Sequence, residues 1–240
     1  PEQRLTADAA SFFLADARMG HRGIVYAGLG LNPAGFCVDL CGSENFALLS
    51  VTDRDVLHAL CERRMRMLVE YVKFLLGRGV GPFFSLSGEE MVVPPLHGPR
   101  DFDDFNLRYD APIIDEIHNG GGRVHIHCHG KLRAVFDRFV RMGCDVLHPF
   151  EGPPLGDLLP KEAKEIARGK MCLEGNIQIS RMYEASPGEI REETRCLIRD
   201  AFDDGRGLIV SPTASPYIRG RGQECLSRYR AMVETVATWS

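Results

Sequence analysis

The stretch Val124-His125-Ile126-His127-Cys128-His129-Gly130 decides the reading of this chain. Side chains alternate with period two along a strand, so Val124, Ile126 and Cys128 share one face and His125, His127 and His129 the other. In a parallel α/β barrel the apolar set packs on helices and the opposite set points inward. Three inward imidazoles need hydrogen-bond partners, a metal or a wet cavity. The predicted strand covers 123–129, so His127 and His129 lie at its C-terminal end, where parallel α/β folds carry their sites. Two neutral nitrogen donors two residues apart on one side of a strand suit zinc. A hydrogen-bonded polar pocket without metal satisfies the same pattern.

Outward from this strand, strand and helix alternate. Strands are predicted over 22–31, 80–90, 123–129, 144–151, 170–176 and 208–213. Thr6 is placed to cap a first helix over 7–19. A long connection with Asn32-Pro33 and Cys41-Gly42 as turn signals leads to a helix opened by Thr52-x-x-Asp55 and closed at 77–79. Further helices are expected over 101–119, 131–142, 160–169, 187–203 and 222–238. Repeated βα units imply parallel strands and right-handed crossovers. The expected fold is therefore a single α/β domain over 1–240, a TIM-type (β/α)8 barrel with six of its eight units visible. Either the missing pair precedes Pro1 or the sheet is open; the absence of a methionine at Pro1 suggests a trimmed chain or a piece of a longer one.

Other chemistry-bearing residues fall at strand ends. Glu151 ends the strand after the histidines, as a third ligand or a general acid/base; His148, of opposite parity, reads as a structural histidine. Glu174 and Asn176 share a face of the fifth strand, and Gly175 between them permits close backbone approach. In the second strand Ser85, Ser87 and Glu89 share a face opposite Phe84 and Leu86. Tyr217 follows the last strand. Glu89, Glu174 and Asn176 are the catalytic candidates, Ser87, His125 and Tyr217 the substrate-binding ones, and His127, His129 and Glu151 the metal set. No Gly-x-Gly-x-x-Gly follows a strand and no Gly-x-Ser-x-Gly elbow is present, which argues against a dinucleotide fold and an α/β-hydrolase.

Composition narrows the classes further. The 240 residues carry 29 Lys+Arg against 33 Asp+Glu, a formal charge of −4, with 44% hydrophobic residues. These are the proportions of a globular protein, not of a disordered one. Without a basic tract no nucleic-acid partner is expected, and without an apolar run of about 18 residues no membrane span. The eight cysteines form no C-x-x-C pair and no secretory signal leads the chain, so a cytoplasmic protein with reduced thiols is expected.

In order along the chain, His127-Cys128-His129-Gly130, Gly143–Leu147 (G-x-D-x-L) and Leu173–Ile177 (L-x-G-N-I), followed by a helix and a strand with a Pro-rich exit, resemble the uroporphyrinogen decarboxylase superfamily over roughly residues 45–238. The resemblance implies a barrel and two chemistries. The superfamily's methyltransferases bind zinc through His-x-Cys on one strand and a later Cys. Here His129 stands where the first Cys would be, and the later Cys, near Thr213–Ala214, is missing. Glu151 in its place would give a His2Glu set with an open position, a harder metal than the thiolate form. That branch implies Zn2+, a methyl group passed between a small substrate and a corrinoid, and a separate corrinoid protein as partner. The decarboxylase branch implies a metal-free carboxy-lyase acting on a porphyrin precursor with many carboxylates; its late Gly-His-Gly is replaced here by Pro212-Thr213-Ala214. A third reading is a binding module without turnover. An incomplete barrel would expose strand edges, which implies a homodimer.

Overall fold

The computed structural model describes residues 8–239, so Thr6 lies outside the described residues. The described residues form two compact units: one of 8–127 with 141–145, the other of 128–140 with 146–239.

The first unit starts with α1 (Ala9–Met19), capped by Asp8, whose side chain accepts the Ala10 N–H. Strand β1 (Ala27–Leu31) is shorter than the predicted 22–31. The expected long connection is instead two helices, α2 (Pro33–Cys41) and α3 (Ser43–Thr52). The turn signals are helix boundaries: Asn32 is an N-cap accepting from Gly35, Pro33 sits at the first helical position, and Gly42 ends α2. Then come α4 (Arg54–Leu76), β2 (Phe83–Ser87), a short α5 (Pro99–Asp101), a π-helical turn over Phe102–Leu107, α6 (Arg108–Asn119) and β3 (Arg123–His127). β1 pairs with β2 and β2 with β3, all parallel, with Ser85 opposite His125 and Ser87 opposite His127. Phe46, Leu57, Cys61 and Phe105 fill a fully buried core where α2, α3 and α4 pack.

The second unit contains α7 (Phe136–Arg141, whose last residue falls in the first unit), β4 (Val146–His148), α8 (Pro160–Ala167), β5 (Cys172–Ile177), α9 (Arg181–Glu184), α10 (Pro187–Ala201), β6 (Leu208–Pro212) and α11 (Leu226–Ala237). β4 pairs with β5 and β5 with β6, again parallel. α10 opens with a capping box: Ser186 Oγ accepts the Glu189 N–H and the Glu189 carboxylate accepts the Ser186 N–H. Strand order follows chain order within each unit, β1-β2-β3 in the first and β4-β5-β6 in the second. The fold is α/β with six parallel βα units, two fewer than a complete TIM-type barrel. Among the described residues no helix is long and apolar enough to cross a membrane.

Candidate active site

Alternation on β3 is as the sequence predicts. Val124, Ile126 and Cys128 are fully buried, while His125 and His127 are half-buried. The strand ends at His127, and the chain continues through Cys128, whose N–H donates to the His148 carbonyl at 2.8 Å. The next residue makes the central contact of the second unit. His129 Nδ1 lies 3.0 Å from Glu151 Oε2, and the Gly130 N–H donates to the same oxygen at 3.3 Å. Glu151 is almost wholly buried, while the His129 side chain is 37% exposed. Burial works against ionisation of Glu151, but the hydrogen bond and charge of His129, with the Gly130 N–H, overcome it and hold the carboxyl below its ordinary range. An ionised carboxylate only accepts, so Nδ1 of His129 carries a proton and donates it to the contact.

The loop after β4 is built around this carboxylate. The Leu158 N–H donates to the Glu151 carbonyl at 3.2 Å and the Gly156 N–H to the Gly152 carbonyl at 3.0 Å. Asn176, on β5, donates from Nδ2 to the Phe150 carbonyl at 3.1 Å, tying β5 to the residue before Glu151. Gly175, at φ +141°, lets the β5 backbone pass the Phe150 ring, 3.5 Å from where a Cβ would stand. Glu174 and Asn176 share the half-buried face of β5, as their spacing predicts. His148 Nε2 donates to the Pro212 carbonyl at 3.0 Å, the structural role expected of it. Tyr217 is 62% exposed and its ring meets Tyr183 edge-on at 5.3 Å.

Of the expected zinc set, His129 and Glu151 are in contact; among the described residues no three His, Cys, Asp or Glu side chains form a metal cluster. One expectation needs correction: Glu89 does not continue the face of Ser85 and Ser87. β2 ends at Ser87, Gly88 turns at φ +111°, and Glu89 begins a 3-10 turn that carries it into the core of the first unit, fully buried. Ser87 Oγ reaches the Gly30 carbonyl at 3.5 Å, and the His125 ring lies 5.0 Å from that of Tyr26.

Sequence reading missed the residues around Glu89: Asn32, Asn106 and Asp110, all fully buried. One signal was available. Asp110 lies three, four and seven residues before Ile113, Ile114 and Ile117, on the apolar face of α6.

Fold and site together define a parallel α/β scaffold with a carboxylate-held histidine after a strand end. The model of the family described as uroporphyrinogen decarboxylase (URO-D) matches residues 28–236, across both units. The chain belongs to that family. It is 26% identical over 159 residues to the uroporphyrinogen decarboxylase of Aliivibrio salmonicida, covering 65% of this chain and 42% of the relative. It is 31% identical over 116 residues to that of Aeromonas salmonicida, covering 47% and 31%. The chain thus spans less than half the length of these curated relatives. A methyltransferase from Methanosarcina mazei shares the fold, with a TM-score of 0.73 and 15% identity over 94% of this chain and 63% of that one.

Proposed function

We propose that the chain carries the acid–base centre of a decarboxylase-type enzyme of this family, with His129 as the proton donor and Glu151 as the residue that positions it. The observation that carries this reading is the 3.0 Å contact between a half-exposed imidazole and a buried, ionised carboxylate. The Glu151 carboxylate at Nδ1 fixes the ring, and Nε2 then faces away from Glu151. On a substrate carboxylate attached to carbon, the C–COO− bond breaks, CO2 leaves, and the bonding electron pair stays on carbon. The proton from His129 Nε2 completes the new C–H bond, and solvent reprotonates the ring. Glu174 and Asn176 line the same face of β5 and orient substrate; a polycarboxylate of the porphyrin-precursor class is the substrate that the curated relatives suggest. The test is CO2 release from uroporphyrinogen by the purified chain. His129→Ala is expected to lower kcat by about 10²–10⁴-fold, the usual contribution of general acid catalysis. An unchanged rate in that variant, or no consumption of substrate by the wild type, overturns the reading.

Methyl transfer is the second reading, supported by the Methanosarcina mazei methyltransferase fold and by the His127-x-His129 spacing. Under it Glu151 would orient His129 as carboxylates orient metal-bound imidazoles, and a separate corrinoid protein would be the partner. About one zinc per purified chain, lost in His127→Ala, favours this reading over the first; no zinc in either sample after zinc addition disposes of it.

A further inference from the structure

The first unit holds a second polar cluster, made of none of the residues of the His129–Glu151 centre. Glu89 and Asp110 are both 0% exposed. Asp110 is well held: its two carboxylate oxygens accept from Asn32 Nδ2 at 3.0 and 3.3 Å. Asn32 Nδ2 also reaches Asn106 Oδ1 at 3.0 Å, and Asn106 Nδ2 donates to the Glu89 carbonyl at 3.1 Å. The Glu89 carboxyl differs. Both its oxygens are buried and neither has a hydrogen-bond partner. A buried carboxyl with no partner carries the full cost of its lost hydration. The charges that act on it come from Asp110 and Glu90, both acidic.

The surrounding backbone is built to put Glu89 there. A Cβ on Gly35 would stand 2.8 Å from Asn32 Oδ1 and 2.8 Å from the Gly88 Cα, so the first turn of α2 meets the exit of β2 at backbone contact. The Asn32 N–H donates to the Ser87 carbonyl at 2.7 Å and its Oδ1 accepts from Gly35 at 2.7 Å, locking the same junction. In this interior Asn32 Nδ2 serves the Asp110 oxygens and Asn106 Oδ1, and the two Glu89 oxygens are left over.

We propose that Glu89 and Asp110 bind a hard divalent cation, of the Mg2+ or Mn2+ class, inside the first unit. Two ionised carboxylates carry two negative charges, which one divalent ion balances, and the Glu89 oxygens gain the partner they lack. Carboxylate oxygens select hard cations over zinc. Without the ion, burial pushes Asp110 up to about 8 against its Asn32 hydrogen bond, and burial together with the charge of Asp110 pushes Glu89 well above its ordinary range. Entry requires only local opening of the α2–β2 junction.

The test starts from chelator-treated full chain titrated with Mn2+ and read by electron paramagnetic resonance. One tightly bound Mn2+ per chain is expected, retained in His129→Ala and weakened at least 100-fold in both Glu89→Gln and Asp110→Asn. Mg2+ at 100 times its Kd is expected to raise the Tm of the wild type by about 5–10 °C and to leave that of Glu89→Gln in place. Circular dichroism establishes that each variant is folded; Glu89→Gln removes the buried charge and keeps the volume. The proposal fails if the wild type binds no Mn2+, if binding survives in both variants of the carboxyl pair, or if His129→Ala abolishes it.

Discussion

Glu151 is the residue on which the proposed acid–base centre turns, and its ionisation is open to direct measurement. Its carboxyl is held below its ordinary value of 4.5, burial being outweighed by the His129 hydrogen bond. A carboxyl whose folded pKa is depressed contributes stability that is present above its unfolded value. That stability is lost as pH falls through the folded value. Glu151→Gln is therefore expected to lower stability at pH 7 by about 1–2 kcal/mol, the scale of a charged hydrogen bond. The gap between wild type and variant should close as pH drops below about 4.5. Urea unfolding of both proteins at pH 7 and pH 3.5 checks it; a gap that stays constant with pH shows that the two groups are not coupled. The pairing was half legible in the sequence. Period-two alternation put His129 and Glu151 at neighbouring strand ends, and a general acid/base was one of the two roles open to Glu151. What alternation could not supply was the contact itself, which forms beyond the last residues of β3 and β4 where strand parity no longer applies. Asp110 stayed hidden because a carboxylate in a helix reads as solvated unless its apolar neighbours are counted first.

Elements were legible where periodicity was strong and misread where it was weak. β3 and β5 show the expected alternation of burial, and α10 begins at the predicted Ser186-Pro187. α2 and α3 were missed because they are short, carry Pro33, Gly35 and Gly42, and bury apolar residues without a sharp stripe. Pro33 and Gly42 read as turn signals in isolation and are a first helical position and a cap in place, while Gly35 is a close-approach point. The loop between β4 and α8 shows how such a close approach governs the site. A Cβ on Gly156 would lie 2.0 Å from the Glu151 carbonyl oxygen, a backbone atom that cannot swing aside. Gly156→Ala is thus expected to destabilise the chain by about 1–3 kcal/mol, the usual cost of overpacking. It should also cut turnover along with Glu151→Gln, because the carboxylate moves with its backbone. Gly28 on β1 is the control: a Cβ there meets nothing within 4 Å. Gly28→Ala should be neutral or stabilising by up to about 1 kcal/mol, since glycine is a poor strand residue. Thermal melts of the two variants with opposite signs would support this account; equal effects would refute it.

At the scale of the whole molecule, the eight cysteines report on the entire fold. All are free thiols, and none of the eight forms a disulfide. Five of them, Cys37, Cys61, Cys128, Cys144 and Cys225, are buried. Cys37 and Cys61 lie closest, with sulfurs 3.7 Å apart inside the α2–α4 core, a thiol hydrogen bond and not a covalent link. The other three are half-buried, and their environments differ. Burial raises the Cys41 thiol, and burial together with the charge of Glu174 pushes Cys172 up to about 11. The thiolate is the nucleophile, so a raised pKa slows alkylation. Cys196, on α10 with its thiol toward Glu192, is therefore expected to label first with iodoacetamide at pH 8, ahead of Cys41 and Cys172. The five buried thiols should label only as fast as the units open, so their rates follow stability and rise with denaturant. Mass spectrometry of peptides after timed labelling gives the order residue by residue. Eight labels in denaturant without reductant are expected. Six would mean that one pair, Cys37 and Cys61 by distance, is oxidised, and early labelling of Cys128 would mean that the β3 exit, and with it the His129–Glu151 contact, opens independently of the core.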